Sequence, residues 1–140
     1  MNNRAPEQQG RAARAPVIAR ALQTAWAPAA VLVLGLIVGP TSFARDLWWL
    51  LHLLGGTALA FFFLHAIDAL GLVKPLGRYV VAFALACTTA LGWELLEYAI
   101  DRVAGSTLQV DLLDTMSDLM FGVCGAALYL AYAAFTESKA

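Results

Sequence analysis

The sequence predicts an all-α integral membrane protein, a bundle of four transmembrane helices with both termini in the cytoplasm. Of its 140 residues, 61% are hydrophobic and 14% are charged. Soluble globular domains are about 45–50% apolar and about 25% charged. Four long apolar runs are separated by short breaks that contain glycine, proline or charged residues. The net charge of −1 gives no field that would attract nucleic acid, so the expected environment is a lipid bilayer and no nucleic-acid partner is expected.

The four apolar runs cover residues 25–39, 47–72, 79–100 and 111–135. A bilayer core of about 30 Å requires a helix of about 20 residues. The last three runs meet this length and the first is marginal. The predicted organisation is therefore a basic, disordered cytoplasmic tail over 1–24, a single transmembrane domain over 25–135 and a short cytoplasmic tail over 136–140.

The first apolar run has two interpretations, of which we favour a retained helix. A basic stretch, the apolar segment 29–39 and then Ser42, Phe43 and Ala44 also resemble a cleavable signal peptide. Pro40 and Thr41 are expected to end the helix in either case.

The distribution of lysine and arginine predicts the orientation. Positive residues accumulate in the N-terminal tail, the connection between the second and third runs, and the C-terminus: Arg4, Arg11, Arg14, Arg20, Lys74, Arg78 and Lys139. The opposite side has Arg45 and Arg102. Because loops with excess positive charge stay in the cytoplasm, the connections 40–46 and 102–110 should face outward.

Acidic residues and one histidine cluster toward the predicted outer ends of three helices. The rise of an α-helix places His52, Glu94 and Asp118 about 9–10 Å below the outer ends, and Glu97 and Asp114 about 5–6 Å below them. The last two helices each carry their acids at spacing i, i+3, i+7, which is a single helix face. The predicted metal-ligating set is His52, Glu94, Glu97, Asp114 and Asp118, with the pocket rim formed by Asp46, Asp101 and Asp111.

The charges in this outer half do not balance. Seven acids face two arginines, Arg45 and Arg102, a difference of 7 − 2 = 5 negative charges. Charged groups at membrane depth are costly and need partners, so protons, a divalent cation or a cationic partner must neutralise the set. Carboxylates suit Mg, Ca or Mn, and an imidazole extends the choice to Zn or Fe. A structural polar network, a proton relay and a docking face for a larger complex remain alternatives.

Several other residues have predicted structural roles. Gly55 and Gly56, beside His52, and Gly122 and Gly125, below Asp118, would let helices approach closely and form a tight floor under the pocket. His65 and Asp68 should share a local i, i+3 hydrogen bond. Other expectations are that residues 71 and 74–78 link the second and third helices, that Trp93 packs on a face away from Glu94, and that Cys87 and Cys124 are small core residues.

The residues of this outer half resemble a known family. Asp46 and His52, the block WELLEY at 93–98 and the block QVDLLDTMSD at 109–118 are similar to the YjdF-like small bacterial membrane proteins and, more distantly, to the VanZ-like proteins. The resemblance covers residues 40–135. It implies a multi-helix protein of the bacterial inner membrane and supplies no substrate. Phe121 stands where the VanZ-like pattern has asparagine.

These observations favour a cation-binding inner-membrane protein with an outward-facing pocket, whose cofactor would be a divalent metal ion. A catalytic form would use the metal to activate water against a lipid or cell-wall headgroup. The alternatives are a non-enzymatic accessory subunit or assembly factor of a larger membrane complex, and an oligomeric proton or ion relay.

Overall fold

The computed structural model describes residues 18–39, 41, 44–71, 73 and 75–139. Its helices are α1 (Trp26–Val38), α2 (Ala44–Leu70), α3 (Pro75–Ala104) and α4 (Leu112–Glu137). All four lie in stretches long and apolar enough to cross a membrane, the first of which is Ile18–Val38. The predicted all-α, four-helix membrane fold is confirmed, whereas the orientation stays a prediction.

The first span begins earlier in the chain than predicted. Residues 1–17 of the predicted tail, and Pro40, Ser42 and Phe43 of the possible cleavage region, lie outside the described residues. Helical structure already covers 18–22 and is separated from α1 by a turn. The first span therefore starts before residue 25, which makes it long enough to cross a bilayer core.

The connection between α2 and α3 is shorter than predicted. Residues 75–78 belong to α3, which begins at Pro75, so their assignment to a link was wrong. Proline suits the first position of a helix because its nitrogen has no hydrogen to leave unpaired there. Gly71, with φ of 62°, follows the end of α2, and Gly105, with φ of 67°, follows α3. Both take the left-handed conformation that glycine adopts without strain.

Helix α2 lies at the centre of the bundle. It packs against the other three helices and has its most extensive interface with α4, whereas α1 contacts only α2 within the described part of the chain. The apolar core occupies the half of the bundle where α2 ends and α3 begins. It consists mostly of alanine: Ala60, Leu64, Ile67, Ala82, Ala86, Ala126, Leu130 and Ala133. These small side chains permit the close helix packing that stabilises membrane bundles.

A close approach of α2 and α4 separates this core from the acidic half. A Cβ atom on Gly56 would overlap the carbonyl group of Gly122, and one on Gly125 would overlap the carbonyl oxygen of Leu53. Thr57 Oγ1 donates a hydrogen bond across the same interface to Gly125 O at 3.2 Å. Gly56, Gly122 and Gly125, named here the glycine floor, match the predicted arrangement. Gly55 instead faces Val31 of α1.

At the opposite end, one arginine joins three helices. Arg78 of α3 donates to Asp68 of α2 at 2.9 Å and also to Glu137 of α4. Glu137 additionally accepts the hydroxyl of Tyr79 at 2.9 Å. The predicted bond between His65 and Asp68 was wrong: His65 Nδ1 lies 2.8 Å from the carbonyl oxygen of Phe61 instead. Asp68 pairs with Arg78 and not with His65 because a guanidinium is a stronger partner for a carboxylate than an imidazole.

Replacing Arg78 by glutamine is expected to lower the thermal unfolding temperature by a few degrees. The change removes two ion pairs whose acids are 38% and 51% exposed, and pairs this exposed contribute about 1 kcal/mol or less each. Circular dichroism in mild detergent measures the shift. Arg102→Gln is the matched control, because Arg102 is exposed and forms no ion pair among the described residues. Equal unfolding temperatures for the two variants would contradict this role.

Candidate metal centre

Three of the predicted ligands come together in the acidic half of the bundle. His52 of α2, Glu94 of α3 and Asp118 of α4 each offer one potential ligand atom, and these atoms all lie within 4.8 Å of one another. Because each residue belongs to a different helix, the group exists only when the three helices pack together. The glycine floor lies directly below it, with the carbonyl oxygen of His52 3.8 Å from the Cβ position of Gly122.

The group is well buried, and its spacing lies at or above the upper limit for the ligands of one metal ion. His52 Nδ1 lies 3.9 Å from Glu94 Oε1, and His52 Nε2 lies 3.5 Å from Asp118 Oδ2. These separations exceed the 2.7–3.2 Å typical of an N–H···O hydrogen bond. Two ligands bound to one ion at about 2.0–2.2 Å lie about 3.0–3.5 Å apart. Glu94 is only 4% exposed and Asp118 only 5%, so both carboxylates are shielded.

The orientation of the imidazole permits a second kind of occupant. One ring nitrogen faces Glu94 and the other faces Asp118, whereas a single metal ion would use only one of them. A protonated imidazole has an N–H on both nitrogens and would donate to both carboxylates. The arrangement can therefore hold either a metal ion or a shared proton.

Glu97 and Asp114 lie near the group but are not members of it. Glu97 is 6% exposed, and its Oε1 accepts a 2.7 Å hydrogen bond from the indole of Trp93. Asp114 stands in the first turn of α4, where its Oδ2 accepts from Val110 N at 3.3 Å. Both residues are one helical turn closer to the helix ends than Glu94 and Asp118, so their part in cation binding stays a prediction.

The three predicted rim acids occupy the helix ends, and two of them organise the backbone there. Asp101 accepts hydrogen bonds from Ser106 Oγ at 2.6 Å, Leu108 N at 2.8 Å and Gln109 N at 2.9 Å. Asp111 is the N-cap of α4 and accepts from Asp114 N at 2.9 Å. Asp46 is exposed in the first turn of α2. The contacts of Asp101 and Asp111 fix the 105–111 connection above the candidate centre.

Gln109 is a contributor that the sequence interpretation did not single out. Its Nε2 donates to the backbone oxygen of Glu94 at 2.9 Å and to Glu94 Oε2 at 3.2 Å. Since Asp101 holds the backbone of Gln109, a chain of contacts runs from Asp101 through Gln109 to Glu94. Trp93 is 40% exposed, as predicted for a residue that faces away from the buried Glu94, but its indole also donates to Glu97, which was not predicted. In the sequence, Trp93 and Gln109 were marked only by their positions in the blocks WELLEY (93–98) and QVDLLDTMSD (109–118).

Replacing Gln109 by alanine is expected to weaken divalent-cation binding by about 10–100-fold, the usual effect of losing a group that orients a ligand. Glu94 would lose the donor that fixes its Oε2 atom. Competition with a chelating indicator measures the dissociation constant. Gln23→Ala is the matched control, since Gln23 is exposed at the start of the chain's first span. Unchanged affinity in the Gln109 variant would show that this bond does not support the centre.

One family model matches almost the whole chain. Residues 13–139 match the family described as "Predicted membrane protein (DUF2238)". No curated protein and no solved structure matches the chain. The match supports the YjdF-like resemblance and leaves the VanZ-like one as a prediction. A family match over residues 13–139, together with four helices able to span a membrane, shows that the chain belongs to this family of predicted membrane proteins.

Proposed function

We propose that this protein binds a divalent metal cation at His52, Glu94 and Asp118. The observation that supports the proposal most directly is the convergence of these three side chains, from three helices, to within 4.8 Å. The resemblance to the YjdF-like proteins implies the bacterial inner membrane, and the distribution of lysine and arginine would then open the site toward the periplasm.

Charge balance favours a divalent ion over an empty polar network. Glu94 and Asp118 carry two negative charges when ionised, and both are buried in membrane-spanning segments. An ion of charge +2 with a neutral imidazole makes the group neutral, which removes most of the cost of charge at membrane depth. The combination of one imidazole and two carboxylates suits Zn, Fe or Mn. Glu97 and Asp114 would then add negative charge near the ion from positions one helical turn closer to the helix ends.

A second candidate is a proton-binding relay, favoured by the position of the imidazole between the two carboxylates. Membrane relays use histidine and carboxylates inside helices in this manner. The relay differs from the metal site in one measurable respect, because it requires no stoichiometric metal. The accessory-subunit interpretation stays a prediction from chain size and short loops.

The test is the metal content of the purified full chain, measured by plasma mass spectrometry. Wild type is expected to hold close to one equivalent of metal, and His52→Gln is expected to lose it. The chain has a second histidine, so His65→Gln is a matched control: His65 is exposed near the other end of α2. Retention of metal by the His52 variant would refute the site. Absence of metal from wild type reconstituted with Zn, Fe and Mn would favour the relay.

A further inference from the structure

The connection between α3 and α4, residues 105–111 and named here the strap, is held in place by polar contacts. It contains no helix. Two of its apolar side chains, Leu108 and Val110, are 46% and 73% exposed, so apolar packing contributes little to its position. A segment with few buried apolar contacts opens easily unless hydrogen bonds hold it. The position of the strap therefore depends on the groups that accept its hydrogen bonds.

Most of these hydrogen bonds end at one residue, Asp101, near the end of α3. Asp101 Oδ1 accepts from Ser106 Oγ at 2.6 Å and from Leu108 N at 2.8 Å, and Asp101 Oδ2 accepts from Gln109 N at 2.9 Å. The backbone oxygen of Asp101 also accepts from Gly105 N at 3.0 Å. Both carboxylate oxygens are in use, and an asparagine would offer an acceptor on only one side of the group.

Gln109 connects the strap to the candidate metal centre. Its Nε2 donates to the backbone oxygen of Glu94 at 2.9 Å and to Glu94 Oε2 at 3.2 Å. The other oxygen, Glu94 Oε1, faces His52 Nδ1 at 3.9 Å. Because one amide contacts both the backbone and the carboxylate of Glu94, it limits the rotation of that side chain. Gln109 thereby keeps Oε1 directed at the centre, as groups that orient metal ligands do.

The neighbouring acid of α3 is held in a different way. Glu97 is also buried, with 6% of its surface exposed, but its Oε1 accepts from the indole of Trp93, a residue of the same helix, at 2.7 Å. Glu97 has no hydrogen bond to the strap in the described part of the chain. Movement of the strap should therefore affect Glu94 and spare Glu97.

We propose that Asp101 is a positioning residue for the candidate centre. It holds the strap so that Gln109 keeps Glu94 Oε1 directed at His52, and it does not itself touch the ion. Asp101 lies about two helical turns from the ligand on which it acts. The effect on cation affinity rests on the proposed function, whereas the positioning of Glu94 does not require a bound ion.

The first test uses the full chain without metal. In the presence of a chelator the protein is treated with dicyclohexylcarbodiimide, a small apolar reagent that modifies buried carboxyl groups, and peptide mass spectrometry measures the labelling of each glutamate. Asp101→Asn and Gln109→Ala should each increase the labelling of Glu94 about fivefold, the effect of one lost hydrogen bond, and leave Glu97 unchanged. Trp93→Phe is the matched control and should increase the labelling of Glu97 alone. Equal increases at both glutamates in Asp101→Asn would indicate general loosening and would overturn the proposal.

The second test is a double-mutant cycle on cation affinity, measured by competition with a chelating indicator. Asp101→Asn should weaken binding about tenfold. Because Asp101 acts through Gln109, adding Asp101→Asn to Gln109→Ala should change the affinity by less than about twofold. Losses that multiply in the double variant would contradict this route. If Asp101→Asn is not monodisperse, Ser106→Ala replaces it in both tests, since it removes one of the three bonds to the carboxylate and should cause smaller changes of the same kind.

The two tests separate this proposal from the proposed function. A wild type that binds no cation, together with a selective increase at Glu94 in Asp101→Asn, would refute the metal site and support the positioning role. A wild type that binds cation, together with an Asp101→Asn variant of unchanged labelling and affinity, would support the metal site and overturn the positioning role.

Discussion

Alanine in place of Gly56 is expected to destabilise the bundle by more than about 3 kcal/mol, the upper end of the usual cost of overpacking. The added methyl group would overlap the carbonyl group of Gly122. Backbone atoms cannot rotate away as a flexible side chain does, so α2 and α4 must separate. Separation would also break the bond from Thr57 to Gly125 and move His52 away from Asp118.

The measurement for Gly56→Ala is thermal unfolding in mild detergent, with the fraction of monodisperse protein as a second readout. Gly92→Ala is the matched control, because a Cβ at Gly92 would meet nothing within 4 Å. Alanine there should be neutral or stabilise the helix by up to about 1 kcal/mol. If the two variants unfold at the same temperature, the close approach of α2 and α4 is not as described.

The helices could be predicted from the sequence because membrane insertion depends on one local property. A run of about 20 apolar residues is sufficient to identify a span, and the predicted runs fall within a few residues of α2 and α4. The boundary at Pro75 was missed because the basic residues around it suggested a loop. Proline favours the first turn of a helix, and a hydropathy pattern does not contain this preference.

The candidate site could be predicted only to the level of helix depth and face. Helical rise placed His52, Glu94 and Asp118 at one level, and the structure brings these three together. Periodicity alone did not separate them from Glu97 and Asp114, which share their faces one turn away. Contacts that cross from a loop to a helix, such as Gln109 to Glu94, depend on tertiary packing and have no periodic signal.

Replacing Asp118 by asparagine is expected to stabilise the protein in the absence of metal and to make it less stable than wild type when a divalent metal is added. In the presence of a chelator the wild-type centre keeps two buried carboxylates close together, and the variant removes one of them. An unpaired charge at membrane depth is costly, so the variant should unfold at a higher temperature than wild type. With metal present, wild type should become the more stable protein.

The size of the metal effect follows from binding linkage. Loss of a carboxylate that ligates the metal should weaken metal binding by more than the roughly 10–100-fold expected for loss of a group that only orients a ligand. At a free metal concentration about 100-fold above the wild-type dissociation constant, binding stabilises wild type by about 2.7 kcal/mol and a 100-fold weaker variant by about 0.4 kcal/mol. Unfolding curves with and without metal measure both values.

Asp46→Asn is the matched control for Asp118→Asn, because Asp46 is an exposed aspartate of the same acidic half. This control should respond to metal as wild type does. An equal metal-induced stabilisation in wild type and in Asp118→Asn would exclude Asp118 as a ligand. A variant more stable than wild type under both conditions would instead show that the carboxylate only costs stability, which is the behaviour of a proton-sharing group without a metal.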